Sequence, residues 1–360
     1  MQSKALLLNA LMALVGASPL ERRQQLNIQL LKDTPDPVTA SIPIGQVTQA
    51  TSYNMPAATE AAISEPLVSK RGLIARDACD PQPAGSGPAI SPDTAEEFLA
   101  SDILSQIANT ADVPTGYVNT FTNLQASNSA YGYLGLTSLS SYSPDTCAQQ
   151  CNNIGDACSG FNLFFERDPT LEPADACPNP ASTTVIKCVF WGGYLGSESA
   201  TNSGQWRDQF QVVVAGSNGY MKTRVPAISG FNGISIGNNA INAPSNCLGE
   251  DTYMGSKVFS TSYFDPSLCA AACDSQSEYD EEHPGSGPVE TCQFFVTYLV
   301  EDNGNAQGQY CSLYTQAWDA SYATNSGGQY GSDTYTNVYG YAYTNSTDSG
   351  VPICSETVAS

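Results

Sequence analysis

The chain is poor in the groups that most enzymes and nucleic-acid binders rely on. It has one histidine, His283, in 360 residues, so a histidine-paired nucleophile or a multi-histidine metal site has little to be built from. His283 stands in Asp280-Glu281-Glu282-His283-Pro284-Gly285-Ser286-Gly287-Pro288, which reads as a solvated loop. No G-x-S-x-G turn, phosphate-cradling glycine loop or H-E-x-x-H pair is present. Positive charge is scarce as well: 13 Lys and Arg stand against 35 Asp and Glu, a net −22. Seven of the basic residues but five of the acidic ones lie in residues 1–76, leaving 6 basic and 30 acidic residues beyond them. Such a surface repels phosphate backbones and anionic lipid, which argues against nucleic acid and charged membranes as partners. Long apolar runs are missing too. The run at residues 5–17 falls short of the roughly 20 residues that cross a bilayer. With Lys4 before it and Val15-Gly16-Ala17 at its end, it has the form of a secretory signal peptide, residues 1–17. Residues 351–360 are too polar for a lipid-anchor signal, so the expectation is a secreted chain without membrane insertion.

Cysteine is absent from the first 78 residues, and all 12 cysteines follow from Cys79 onward. An even count in an exported chain reads as a disulfide framework. Zinc is disfavoured, because the close pairs are C-x3-C and no histidine cluster accompanies them. Residues 18–76 carry Arg22-Arg23 and Lys70-Arg71, are rich in Pro, Ala, Ser and Thr, and have few large apolar residues. They read as a propeptide cut after Lys70-Arg71, with a later trim after Arg76, or as a flexible tail that is never removed.

The remainder is a tandem repeat. Its first copy holds Ser143-Pro144-Asp145-Thr146-Cys147, Cys151, Cys158, an aromatic run from Phe161 and Cys188. Its second holds Phe264-Asp265-Pro266-Ser267-Leu268-Cys269, Cys273, Cys292, an aromatic run from Phe294 and Cys311. Twelve residues after Cys188 and after Cys311 comes the same string, Ala200-Thr201-Asn202-Ser203-Gly204 and Ala323-Thr324-Asn325-Ser326-Gly327. Ser143 or Asp265 can cap a helix with proline at its first position. The cysteines that follow lie at i and i+4, on one face of that helix. The aromatic runs read as central strands, and Phe210, Val212, Val214 and Tyr335, Asn337, Tyr339, Tyr341, Tyr343 as period-2 strands closing each copy. Ahead of the repeat, Ser91-Pro92 and Thr94-x-x-Glu97 start a helix that runs to about Thr110, and residues 117–124 read as a strand. Residues 223–246, rich in Gly, Asn and Ser, read as a linker.

A C-x3-C helix stapled to a small antiparallel sheet resembles the PAN/apple module. The resemblance implies an α+β fold of two such units, residues 77–222 and 247–354, followed by a tail at 355–360. It also implies the pairs Cys147–Cys188, Cys151–Cys158, Cys269–Cys311 and Cys273–Cys292, with Cys247–Cys354 joining the ends of the second unit; Cys79 and Cys177 are left to each other. The strings Phe161-Asn162-Leu163-Phe164-Phe165-Glu166-Arg167-Asp168-Pro169, Ile186-Lys187-Cys188-Val189-Phe190-Trp191-Gly192 and Val214-Ala215-Gly216-Ser217-Asn218-Gly219-Tyr220 are similar to secreted fungal proteins of the fruit-body-specific protein A group. PAN/apple modules bind proteins or carbohydrates, so the resemblance implies a non-enzymatic recognition protein whose partner is cell-wall glycan or an extracellular protein.

Candidates for chemistry are few. Glu166 and Asp168 flank Arg167, and Glu301 with Asp302 holds the matching place in the second copy. A glycosidase could use such carboxylates, but an ion-paired strand end or ladder edge is the simpler account of them. Asp302-Asn303-Gly304-Asn305 offers oxygens on a turn but lacks the later Glu of a calcium loop. No cofactor is implied. The aromatic residues Trp191, Trp206, Trp318, Tyr322 and Tyr330 are the candidate binding residues, since flat rings with polar tips stack on sugars when exposed. Small disulfide domains also use such rings as core. Asn345-Ser346-Thr347 is an N-glycosylation sequon. The remaining readings are a structural cell-wall or matrix component, and an acid hydrolase using the paired carboxylates.

Overall fold

The computed structural model describes residues 26–37, 42, 44, 45, 78–260, 263–285 and 287–354. It is an α+β structure dominated by two antiparallel sheets with the same strand order. The first sheet is built from β1 (Tyr117–Leu124), β2 (Tyr133–Leu139), β3 (Gly160–Pro169), β4 (Ser182–Trp191), β5 (Gly204–Arg207) and β6 (Phe210–Lys222) in the order β1-β6-β3-β4-β2, with β5 hairpinned onto β6. The second uses β7 (Phe231–Gly237), β9 (Tyr253–Phe259), β10 (Phe294–Asp302), β11 (Asn305–Tyr314), β13 (Gly327–Tyr330) and β14 (Asp333–Asn345). Its order is β13-β14-β10-β11-β9, and β7 pairs β14 as β1 pairs β6. A short ribbon joins β8 (Ala240–Ile241) to β12 (Ala323–Asn325). The helices are α1 (Ile28–Asp33), α2 (Ala95–Leu99), α3 (Asp102–Asn109), α4 (Pro144–Ile154) and α5 (Pro266–Glu282).

The capping chemistry places α4 and α5. The Ser143 hydroxyl accepts from the Thr146 N–H, and the Asp265 carboxylate accepts from the Ser267 N–H, each with proline at the first helical position. Cys147 and Cys151 on α4, and Cys269 and Cys273 on α5, then point at one face of each sheet. On the first sheet that helix face buries Phe161, Leu163, Phe165, Ile186 and Cys188. On the second it buries Phe295, Leu299, Cys311 and Leu313. The cysteines stand at disulfide distance as Cys79–Cys177, Cys147–Cys188, Cys151–Cys158, Cys247–Cys354, Cys269–Cys311 and Cys273–Cys292, with Cα separations between 5.3 and 6.1 Å. Six such pairs fit an oxidising compartment. No helix among the described residues is long and apolar enough to cross a membrane.

The repeated Ala-Thr-Asn-Ser-Gly string has a backbone explanation. The Asn202 side chain accepts from the Gly204 N–H at 3.2 Å, and the Asn325 side chain accepts from the Gly327 N–H at 3.0 Å. Both glycines have φ +109°, and a Cβ on either would collide with the carbonyl of Val212 or Tyr335 across the hairpin. Only glycine takes that turn without strain.

Three expectations need correction. Residues 223–246 are not a linker throughout: β7 and β8 lie there, and β7 is an outer strand of the second sheet. Its sequence, Phe-Asn-Gly-Ile-Ser-Ile-Gly, buries Ile236 alone, so its composition hides the strand. The helix ahead of the repeat is broken in two, because Ser101 starts a second cap by accepting from the Leu104 N–H. His283 is not in an open loop but at the C-terminal cap of α5, with its ring stacked on Tyr279 at 4.4 Å.

The halves touch through aromatic side chains. Tyr339 of β14 lies 5.0 Å from Phe264 and 6.4 Å from Tyr194 of the first half. The Phe264 N–H donates to the Gly192 carbonyl at 2.6 Å. Tyr339 sits on a bulge at φ +58°, and the residue at the same place in the first sheet is Gly216, at φ +59°.

Candidate functional site

Strand alternation assigns the far face of each sheet, the one turned away from the cysteine helix. In β3, Phe161, Leu163 and Phe165 face the helix, so Asn162, Phe164, Glu166 and Asp168 face away. Phe164 pairs in register with Lys187 of β4, which projects to the same side. Lys187 and Glu166 form a buried ion pair. Asp168 is 1 % exposed, and its Oδ2 has no hydrogen-bond partner. Burial, and after it the Glu166 carboxylate, holds the Asp168 carboxyl well above the usual carboxylate range, against the pull of the Lys187 ammonium.

Beside this cluster is a cavity of about 190 Å³ whose lining includes Ile44, Asn128, Glu166, Asn202, Gln205 and Val212. Asn128 Oδ1 is a second buried acceptor with no partner. The Gly45 N–H approaches both carboxylates, 3.2 Å from Asp168 Oδ1 and 3.4 Å from Glu166 Oε1. Ile42 packs on the apolar part of the same face, with Phe164, Trp191 and Met221. The site thus holds two buried oxygens without partners and is served by a backbone donor from a segment more than 100 residues upstream.

The carboxylates do not pair with Arg167, as a strand-end reading would have them. Arg167 turns to the helix face, where it binds Asp93 at 2.7 Å and lies 4.2 Å over the Phe210 ring. Registers through Cys188 and Cys311 place Glu301 opposite Arg167 in the repeat and Tyr310 opposite Lys187. The second far face is thus aromatic: Tyr298 and Tyr310 stack at 5.3 Å, with Val296 and Val300 beside them. Leu26 and Leu31 of the N-terminal segment are buried in this cluster, and the Asn27 N–H donates to the Tyr310 hydroxyl at 3.1 Å. Glu301 is 8 % exposed. Burial, and next Glu198 from the first half, pushes its carboxyl up to about 7.

The candidate aromatic residues separate. Trp191 is core, 1 % exposed, with its ring edge-on to Tyr133 at 5.6 Å, so it is withdrawn as a binding residue. A strand position facing Phe164, Val189 and Met221 leaves no route to solvent. Trp206 on β5 is 65 % exposed. Tyr322 is 38 % exposed and meets half-buried Trp318 edge-on at 5.1 Å, while the Trp318 indole donates to Thr252 Oγ1 at 3.0 Å. Tyr330 turns inward to Tyr335 and hydrogen-bonds the Leu26 backbone. Trp206 belongs to the first half and the Trp318–Tyr322 pair to the second. Asn345 ends β14 and accepts from the Thr347 N–H at 3.0 Å, which puts the sequon in a turn. Asp302-Asn303-Gly304-Asn305 is a tight hairpin turn with Asn303 and Gly304 at positive φ. Among the described residues no group of three His, Cys, Asp or Glu is placed to hold a metal ion. Lys70 and Arg71 lie outside the described residues.

Lys187, Asn128, Asn202, Ile42, Ile44 and Gly45 belong to the site and carry no motif that marks them as such. Lys187 had a signal: a lone cation inside Val-Ile-Lys-Cys-Val-Phe must be buried, and a buried ammonium needs a carboxylate nearby. Comparison with family models, with curated proteins and with solved structures finds no match to this chain.

Proposed function

We propose that the chain is a secreted, non-enzymatic recognition protein with two tandem PAN/apple-like units that binds cell-wall glycan or an extracellular protein through exposed aromatic rings. The observation that carries this reading is Trp206, 65 % exposed on a hairpin while most large rings of the molecule are buried. The Trp318–Tyr322 pair is a second exposed platform. Rings of this kind stack on sugar faces and anchor protein contacts, and the acidic surface favours a neutral or cationic ligand. The six cysteine pairs support export through an oxidising route.

The experiment is retention of the secreted chain on chitin, β-glucan, mannan and intact walls. Saturable binding that falls about ten-fold in Trp206→Ala or Tyr322→Ala, with unfolding unchanged, supports the reading. Retention without saturation would turn the assignment towards a structural wall component. The hydrolase reading draws on Glu166 and Asp168 alone, and needs polymer cleavage that Asp168→Asn abolishes.

A further inference from the structure

We propose that the acidic far face of the first sheet is a binding site for an extended peptide, and that Ile42, Ile44 and Gly45 occupy it in cis. The site lies on a different surface from Trp206 and Tyr322 and does not depend on the glycan reading.

Asp168 Oδ2 and Asn128 Oδ1 are buried oxygens without partners on this face, and the Glu166 carboxylate lines the cavity beside them. A buried oxygen left without a partner is costly, so a ligand that brings N–H groups suits it. A peptide backbone does so, and residue 45 shows how: its N–H lies between the two carboxylates. Ile44 and Val212 both line the cavity that remains, and Ile42 packs on the apolar part of the face. The second sheet repeats the arrangement. Its far face receives residues 26–33 through an N–H bonded to Tyr310, the register equivalent of Lys187. Two pieces of one upstream segment thus lie on the same face of both sheets.

Nothing covalent holds that segment to the disulfide framework except the chain itself, because no cysteine precedes Cys79. Lys70-Arg71 stands between the occupant and Cys79. Hydrolysis of the 71–72 peptide bond, with water adding across it, would turn an intramolecular ligand into a dissociable one and lower its effective concentration from the millimolar range of a tether. The empty site would then take a donor-rich, uncharged or cationic peptide in trans.

The test uses the secreted full chain before and after cleavage by a dibasic-specific protease, with a synthetic peptide of residues 38–49 as probe. In the intact chain the Gly45 amide should exchange with deuterium about ten-fold or more slowly than in the free peptide. After cleavage the labelled peptide should displace the fragment, bind 1:1 and saturate. A peptide carrying Ile44→Asp should bind about ten-fold more weakly, a readout that leaves the folding of the protein untouched. Free-peptide exchange at Gly45 in the intact chain overturns the proposal. So does a cleaved chain that takes up no peptide at about millimolar concentration.

Discussion

The two sheets share a helix face and differ on the far face. Phe161 stacks on Tyr220 at 4.9 Å in the first, and the register-equivalent Phe295 stacks on Tyr343 at 4.9 Å in the second. The helix-to-strand cysteine pairs span 41 and 42 residues. The hairpin glycines have the same φ, and so do the bulges at Gly216 and Tyr339. On the far face, by contrast, Glu166, Asp168 and Lys187 face Val300, Asp302 and Tyr310 as equivalents. The framework tolerates little change because cysteines, a cap and a stacked ring pair must fit together. The far face accepts whatever its separate covering demands, charged in one copy and aromatic in the other.

The sharpest probe of that divergence is Lys187→Met against Tyr310→Phe. The first strands Glu166 as a buried, unpaired charge and should cost about 3–5 kcal/mol. The second removes one hydroxyl and should cost about 1 kcal/mol. Equal losses in denaturant titrations of the two variants would contradict the assignment of unlike far faces. Cys147→Ala with Cys188→Ala, and Cys269→Ala with Cys311→Ala, probe the shared side. With loops of 41 and 42 residues, each double variant should lose about 4 kcal/mol. A clear inequality would show that the helix faces are not energetic copies. Gly204→Ala and Gly327→Ala should each cost about 1–3 kcal/mol, again as a matched pair.

A pH-dependent effect belongs to Glu301, whose equivalent is the cation Arg167. Its folded carboxyl titrates near 7 against an ordinary 4.5, so the native state holds the proton more tightly than the unfolded chain does. That stabilisation is complete below about pH 4.5 and is lost as pH rises through about 7. Between those values wild type should lose on the order of 2 kcal/mol relative to Glu301→Gln, the two being compared by thermal unfolding at pH 4.5 and 7.5. A pH dependence identical in both would remove Glu301 as the titrating group.

Much of the framework could be read from residues in order. Ser143 and Asp265 with their prolines announce α4 and α5, and the aromatic runs announce β3 and β10. The same reading missed β7, because a strand laid against an already complete sheet needs few apolar residues and Phe231–Gly237 supplies few. It could not place Trp191, since a tryptophan in a strand looks the same whether it faces Met221 or water. Tyr339 was read as one tooth of a period-2 strand. The bulge breaks that period, and a tyrosine occupies a backbone conformation that the first copy gives to glycine. The far-face site was least legible. Its members are separated by as much as 121–123 residues from Gly45 to the carboxylates, and the upstream segment has too little hydrophobic pattern to point at a partner.

The path of that segment has a consequence for the order of events during synthesis. Residues 26–33 emerge first, yet their seat includes Tyr298 and Tyr310, and the bond from Asn27 to Tyr310 spans 283 residues. The later piece, through Gly45, seats on the earlier sheet. The chain therefore visits its two halves in reverse, and the leading turn of helix must wait until nearly the whole protein has been synthesised. A ribosome stalled before residue 310 would hold every strand of the first sheet and Gly45 beside its carboxylates, while the Asn27 end still lacked Tyr310. Closure of that end is a late event by topology alone.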